Sequence, residues 1–246
     1  MSIKLNSDLG ESFGSWEIGR DASVMQYIDQ ANIACGFHAG DPQWMIKTLK
    51  LAAQHGVEVG AHPGYPDLAG FGRRSMVCSS EEIVGLMHYQ MAALDGMAKS
   101  QGLEMTYVKP HGALYNDMMA QTHLRRDIMQ AVSSFYRPIT LVLQATPTAE
   151  EHRKEAAEFG INVVFEAFVD RCYADDGKLL SRSKVGAVLD KEGMLRQVHQ
   201  LIQEGTITTI SGHILQLEVD TLCVHGDNDT GVGAIAAIRE LMSHEH

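Results

Sequence analysis

One local arrangement recurs along this chain and constrains its fold more than any other feature. A short apolar run ends in a His, Asp or Glu, a Gly or Pro turns the chain, and a helical pattern follows. The clearest instance runs from Val108 to Asn116, where the strand-like Thr106-Tyr107-Val108 gives way to Lys109-Pro110-His111-Gly112. Helical spacing of Leu124, Ile128, Ala131 and Val132 comes next. The same order places Asp8 and Gly10 after Ile3-Lys4-Leu5, His38 after Ala31 to Gly36, and His62 after Val57 to Ala61. A strand over Ile139 to Leu143 precedes the next helix, Glu166 follows Asn162 to Phe165, and His225 and Asp227 follow Thr221 to Val224. About seven strands alternating with helices imply a parallel sheet covered by helices, either closed or open. No linker or low-complexity tract divides the chain, so residues 1–246 are expected to form one domain.

The helices carry their own start and stop signals. Asp41 should cap a helix with Pro42 in its first turn and Gly56 at its end. Its expected inward stripe is Met45, Leu49, Ala52 and Ala53. Ser79 and Glu82 have the spacing of a capping box. The helix they open buries Ile83, Met87, Met91, Leu94 and Ala98, whose methionines read as core filler. Asp190 caps a later helix, Thr206 to Ile210 reads as a minor edge strand, and the last helix turns Val232, Ile235 and Ile238 inward.

If the strands are parallel, their ends share one face, where α/β barrels build their sites. Asp8, His38, His62, Lys109, His111, Glu166, His225 and Asp227 would then converge on one mouth. Lys109 suits an anionic oxygen or developing negative charge. Arg73 and Arg74, in a Gly-rich loop, suit carboxylate or phosphate, and Asn116 adds an amide. His55, His88, His123, His152, His199, His244 and His246 fall on expected helices or the tail and read as solvated. The mouth could bind a divalent metal and activate water, or work by general acid–base catalysis around an anionic substrate. Spacing does not separate the two, and the metal question stays open.

Several classes are disfavoured. A net charge of −11 does not suit nucleic acid. No apolar run approaches the roughly 20 residues that span a bilayer, and patterned sequence from Met1 argues against a signal peptide. The four cysteines form no Cys-x-x-Cys pair; Cys35 and Cys223 read as buried thiols in a reducing, cytoplasmic setting. Neither a phosphate loop nor a Gly-x-Gly-x-x-Gly turn is present.

The chain resembles the LamB/YcsF family of bacterial 5-oxoprolinase A subunits. The resemblance rests on Asn6 to Gly14, Asn32 to Asp41, Gly60 to Asp67, Gly70 to Arg74, Val108 to Asn116, Glu166 to Tyr173 and Cys223 to Asp227. Val169, Cys172 and Asp229 depart from the pattern without touching the ionisable set. The resemblance implies a distorted seven-stranded β/α barrel similar to that of polysaccharide deacetylases. It also implies ATP-driven cleavage of 5-oxo-L-proline to L-glutamate, with Mg2+ accompanying ATP, in a complex with subunits B and C. Asp8, His62, Lys109, His111 and Glu166 are then candidates for catalysis. His38, Arg73, Arg74, Asn116, Arg171, His225 and Asp227 are candidates for substrate binding, with His38, His225 and Asp227 also able to hold a metal. A metal-dependent deacetylase or amidohydrolase, and a non-catalytic binding subunit, are the alternatives.

Overall fold

The computed structural model describes residues 3–181, 184–225 and 229–244. Asp227 and His246 lie outside the described residues. In chain order the elements are β1 (Lys4–Leu9), α1 (Asp21–Val24), β2 (Gln30–Ala34), α2 (Pro42–His55), β3 (Glu58–His62), α3 (Ser80–Ser100) and β4 (Met105–Val108). There follow α4 (Gly112–Ala120), α5 (Thr122–Ser133), β5 (Thr140–Gln144), α6 (Ala149–Glu158) and β6 (Val163–Phe168). The chain continues through α7 (Lys191–Glu204), β7 (Thr206–Thr208), β8 (Ile214–Gln216), β9 (Thr221–Cys223) and α8 (Asp229–His244). The strands β1-β2-β3-β4-β5-β6-β9 form a closed barrel, and all of its strand pairs are parallel. The open alternative is thereby settled in favour of closure. The barrel is irregular: β9 has three residues, and the β3–β4 register shifts at Val59/Gly60.

The helix ends form as their sequences dictate. Asp41 accepts from the Gln43 and Trp44 N–H groups, and Gly56 ends α2 at φ 67°. Thr48, rather than Ala53, completes the buried stripe of α2, because its hydroxyl reaches Asp21 at 2.7 Å. Ser79 and Glu82 close both halves of the capping box on α3. Ile83, Met87, Met91, Leu94 and Ala98 are buried as expected. Thr206 to Thr208 does not join the barrel edge; it pairs antiparallel with β8 in a separate two-stranded ribbon. The stretch after His111 is two helices, because Gln121 takes an extended conformation between them. Among the described residues no helix is long and apolar enough to cross a membrane.

Strand alternation sorts the barrel residues into two sets. Leu5, Leu9, Ile33, Val59, Ala61, Val108, Leu141, Leu143, Phe165, Ala167 and Leu222 belong to the apolar core. The alternate positions hold Asn6, Asp8, Asn32, Tyr107, Lys109, Glu166 and Thr221, whose side chains bond one another. Asn6 donates to Thr221 Oγ1 at 2.8 Å and accepts from Asn32 at 2.8 Å, and Tyr107 donates to Asn32 at 2.8 Å. Buried polar groups are costly unless bonded, and this network bonds them, apart from Glu166 Oε1. The Tyr107 ring has room because position 60 is Gly: a Cβ there would lie 2.2 Å from the ring.

Candidate active site

A cavity of about 710 Å³ opens where β1, β3, β4, β5, β6 and β9 end, lined there by Asp8, His62, Lys109, Gln144, Phe168 and His225. This is the face on which parallel barrels place their chemistry, and its volume is within the usual range of about 300–1,000 Å³ for ligand pockets.

Asp8 sits at the floor. Its Oδ1 lies 3.0 Å from Lys109 Nζ, and its Oδ2 lies 3.3 Å from His62 Nε2 and 3.7 Å from His225 Nε2. Burial opposes ionisation of Asp8, but His62 and Lys109 beside it outweigh that and hold the carboxyl well below its ordinary value. Lys109 also reaches Glu166 Oε2 at 2.9 Å and Cys223 Sγ at 3.1 Å. Burial alone would discharge this ammonium; the carboxylates of Asp8 and Glu166 raise its pKa well above the lysine norm instead. Burial pushes the Cys223 thiol up, so it stays protonated. His225 Nδ1 donates to Asp170 Oδ2 at 2.7 Å, a carboxylate that fixes the ring's orientation. The loop carrying Asp170 is held from α7, where Gln197 Nε2 donates to the carbonyls of Phe168 at 2.8 Å and Arg171 at 3.0 Å.

Beside Asp8 stand three histidines. His62 and His111 meet edge to face, with ring centroids 4.8 Å apart. His38 stacks flat on His111 at 3.7 Å. Burial, reinforced by His62 beside His38 and by His38 and His62 beside His111, lowers the pKa of His38 and His111 well below the histidine norm. Both rings are therefore neutral. A strained turn positions them. Phe71 has φ 55°, uncommon for a bulky residue, and its carbonyl accepts from His111 Nε2 at 2.9 Å. Gly72 follows at φ 62°, where a Cβ would lie 2.6 Å from His38 Cβ.

The structure brings most of the expected residues together and relocates others. Asp8, His62, Lys109, His111, Arg73, Asn116, Arg171 and His225 line the cavity. Glu166 does not; it lies beneath the floor, fully buried against Lys109. His38 is likewise behind the wall, because His111 covers it. Arg74 does not reach the cavity, since its guanidinium turns outward to pair with Asp67. His152 corrects an expectation in the other direction: it is buried and lines the cavity. His88 is also partly buried, bonded to the Ala131 carbonyl at 2.8 Å.

Sequence reasoning gives no role to Glu11, Asp170, Tyr115 or Gln144. Glu11 Oε1 lies 3.3 Å from His38 Nε2 and 3.4 Å from His111 Nδ1, and burial raises its carboxyl pKa. Its one signal is its place three residues after Asp8. Tyr115, one helical turn beyond His111, lines the cavity, and burial pushes its hydroxyl well above the usual value. Gln144 has no signal beyond standing at a strand end.

Fold and mouth together define a parallel β/α-barrel protein with a buried carboxylate–lysine–histidine site at the carboxyl ends of its strands. The chain belongs to the LamB/YcsF family, whose model matches residues 3–246. It is 52% identical over 241 residues to the second of the 5-oxoprolinase A subunits of Pseudomonas putida, covering 98% of this chain and 93% of that one. It is 50% identical over 237 residues to the 5-oxoprolinase A subunit of Chromohalobacter salexigens, covering 96% and 95%. Among solved structures it is similar to a lactam utilization protein from Thermus thermophilus. That match has a TM-score of 0.91 and 38% identity, over 99% of this chain and 97% of the other.

Proposed function

We propose that this chain is the A subunit of an ATP-dependent 5-oxoprolinase. It would act in the cytoplasm as a single barrel domain together with subunits B and C, opening 5-oxo-L-proline to L-glutamate as ATP goes to ADP and phosphate. The observation that carries this reading is Asp8, an ionised carboxylate held among Lys109, His62 and His225 on the floor of a ligand-sized cavity. The names of the relatives supply the substrate.

A lactam carbonyl is a poor electrophile. Transfer of the γ-phosphoryl group of ATP, as its Mg2+ complex, to the carbonyl oxygen expels ADP and opens the ring carbon to water. Addition of water and cleavage of the carbon–nitrogen bond leave an acyl phosphate, which a second water hydrolyses. Asp8, with His62 and His225 beside it, takes the proton of the attacking water and passes it toward the leaving nitrogen. His225 is oriented for this by Asp170. Lys109 keeps Asp8 ionised and is itself positioned by Glu166. Arg73 and Arg171 face the carboxylate and phosphoryl oxygens, and Asn116 contributes its amide at the rim.

The test is glutamate release from 5-oxoproline and ATP, for the chain alone and mixed with its B and C partners. Release from the assembled mixture, lost with Asp8→Asn or His111→Ala, is expected. An assembled mixture that releases no glutamate overturns the reading.

A further inference from the structure

His62 and His111 each turn one ring nitrogen toward the other. His62 Nδ1 lies 2.7 Å from the Lys109 carbonyl oxygen, and His111 Nε2 lies 2.9 Å from the Phe71 carbonyl oxygen. A carbonyl only accepts, so each of these nitrogens carries a hydrogen. The other nitrogen of each ring is then the one open to a cation. Those two nitrogens, His62 Nε2 and His111 Nδ1, stand 3.0 Å apart. Glu11 Oε1 is 3.4 Å from the second, and Asp8 Oδ2 is 3.3 Å from the first. Two imidazole nitrogens and two carboxylate oxygens thus converge at the cavity wall, a donor set suited to a cation.

We propose that Glu11 Oε1, His62 Nε2 and His111 Nδ1 form a binding site for one divalent transition-metal ion of the zinc class. Ligands about 2.0–2.1 Å from a tetrahedral zinc stand about 3.3 Å from one another. The His62–His111 and His111–Glu11 edges are 3.0 Å and 3.4 Å, and all three atoms lie within 4.8 Å of one another. Imidazole and carboxylate ligands suit this ion. Each histidine donates its remote ring N–H to a backbone carbonyl, the outer-shell arrangement that orients metal-bound imidazoles. His38 is the fourth member of the cluster but lies parallel to His111, with only 5° between the ring planes. Two rings stacked in this way do not share an ion lying in both their planes. His38 instead directs Nε2 to Glu11 Oε1 at 3.3 Å and holds that carboxylate. Glu11, His62 and His111 all line the cavity, so the fourth position opens toward substrate, as in sites with three protein ligands and one exchangeable position. The alternative occupant is a shared proton.

The experiment strips the full-length chain with chelator, desalts it, and titrates it with zinc chloride by calorimetry. Cobalt(II) absorption follows as a report on coordination geometry. No substrate or partner is present, so the result is separate from ring opening. We expect one ion per chain and intense four-coordinate cobalt bands. Binding should be lost with His62→Ala or His111→Ala, and retained with His123→Ala on the exposed face of α5. His38→Phe keeps the stack but loses Nε2, and should weaken binding about 10- to 100-fold, as removal of outer-shell partners does. Glu11→Gln, nearly isosteric, should weaken binding without altering the circular dichroism spectrum; it covers the case in which an alanine variant does not fold. A natively folded chain that takes up no stoichiometric zinc overturns the site in favour of the proton. So does binding that survives both histidine changes. Loss with Cys223→Ser, while Glu11→Gln binds normally, assigns the ion to the neighbouring Asp8–Cys223–His225 group and overturns it equally.

Discussion

The Lys109 ammonium lies 2.9 Å from Glu166 Oε2 inside the barrel, with the two side chains 3% and 0% exposed. Removing one partner of a buried ion pair strands the other without a counter-charge, at a cost of about 3–5 kcal/mol. Lys109 faces two carboxylates, so Lys109→Met leaves both Asp8 and Glu166 facing an apolar stem. Glu166→Gln leaves the Lys109–Asp8 pair intact. Urea unfolding at neutral pH should show the lysine variant losing at least about 3 kcal/mol and the glutamine variant losing less. Equal losses would mean that Asp8 does not share the ammonium.

The turn at Phe71 and Gly72 gives a second expectation. Gly72 has φ 62°, and a methyl there meets His38 Cβ at 2.6 Å. Gly72→Ala therefore combines left-handed backbone strain, about 1–2 kcal/mol, with displacement of the His38–His111 stack. Lower stability should be accompanied by a loss of zinc affinity. A variant destabilised with unchanged metal binding would separate the turn from the site.

The two arginines of the same loop should behave differently. Arg73 lines the cavity, whereas Arg74 is turned outward to Asp67. Under the proposed reaction, Arg73→Ala should raise the KM for 5-oxoproline about tenfold or more, the scale of a hydrogen bond to a charged group. Arg74→Ala should leave KM and kcat near their starting values. Steady-state kinetics on the assembled enzyme reads both; equal effects would mean that the pairing with Asp67 is what matters.

Asp41 ties the start of α2 to the loop after β1. Its carboxylate accepts from Gln43 N at 2.8 Å, Trp44 N at 3.0 Å and Gly14 N at 2.7 Å. Slight burial works against ionisation, but these N–H groups prevail and hold the carboxyl below its ordinary value. A depressed folded-state pKa stabilises the fold fully above the unfolded value of about 3.9. That stabilisation is lost as pH falls through the folded value. Asp41→Ala should cost about 1 kcal/mol at neutral pH and flatten the acid limb of stability. Asp41→Asn should keep most of the cap while removing its pH dependence. Urea titrations from neutral pH down through about pH 4 and below compare the three proteins.

The barrel is legible in the chain because its signals are local. Asp41 with Pro42, Ser79 with Glu82, and apolar runs of strand length each declare themselves within a few residues. Thr206 to Thr208 is misplaced by such signals because partner choice is not local: the same three residues serve a barrel edge or a ribbon, and their pairing with Ile214 to Gln216 decides it. The site is legible as a set of strand ends, hence Asp8, His62 and Lys109. Its depth is not. Glu166 and His38 stand at strand-end positions like the others, yet Lys109 and His111 lie over them. His152 escapes because one buried histidine on a charged helix has no periodic signature. Glu11 escapes because the loop after β1, not its sequence spacing, folds it back beside His111.

The barrel closes through β9, whose residues pair with β1 on one side and β6 on the other, setting Cys223 opposite Asn6. A nascent chain therefore carries Asp8 and Lys109 through all the residues up to Thr221 without the strand that completes their enclosure. Until residues 221–223 leave the ribosome, two buried carboxylates and an ammonium remain open to water, and β1 and β6 both present unpaired edges. β9 thus acts as a ring-closing clasp: the enclosure of the mouth is complete only once that strand has been delivered.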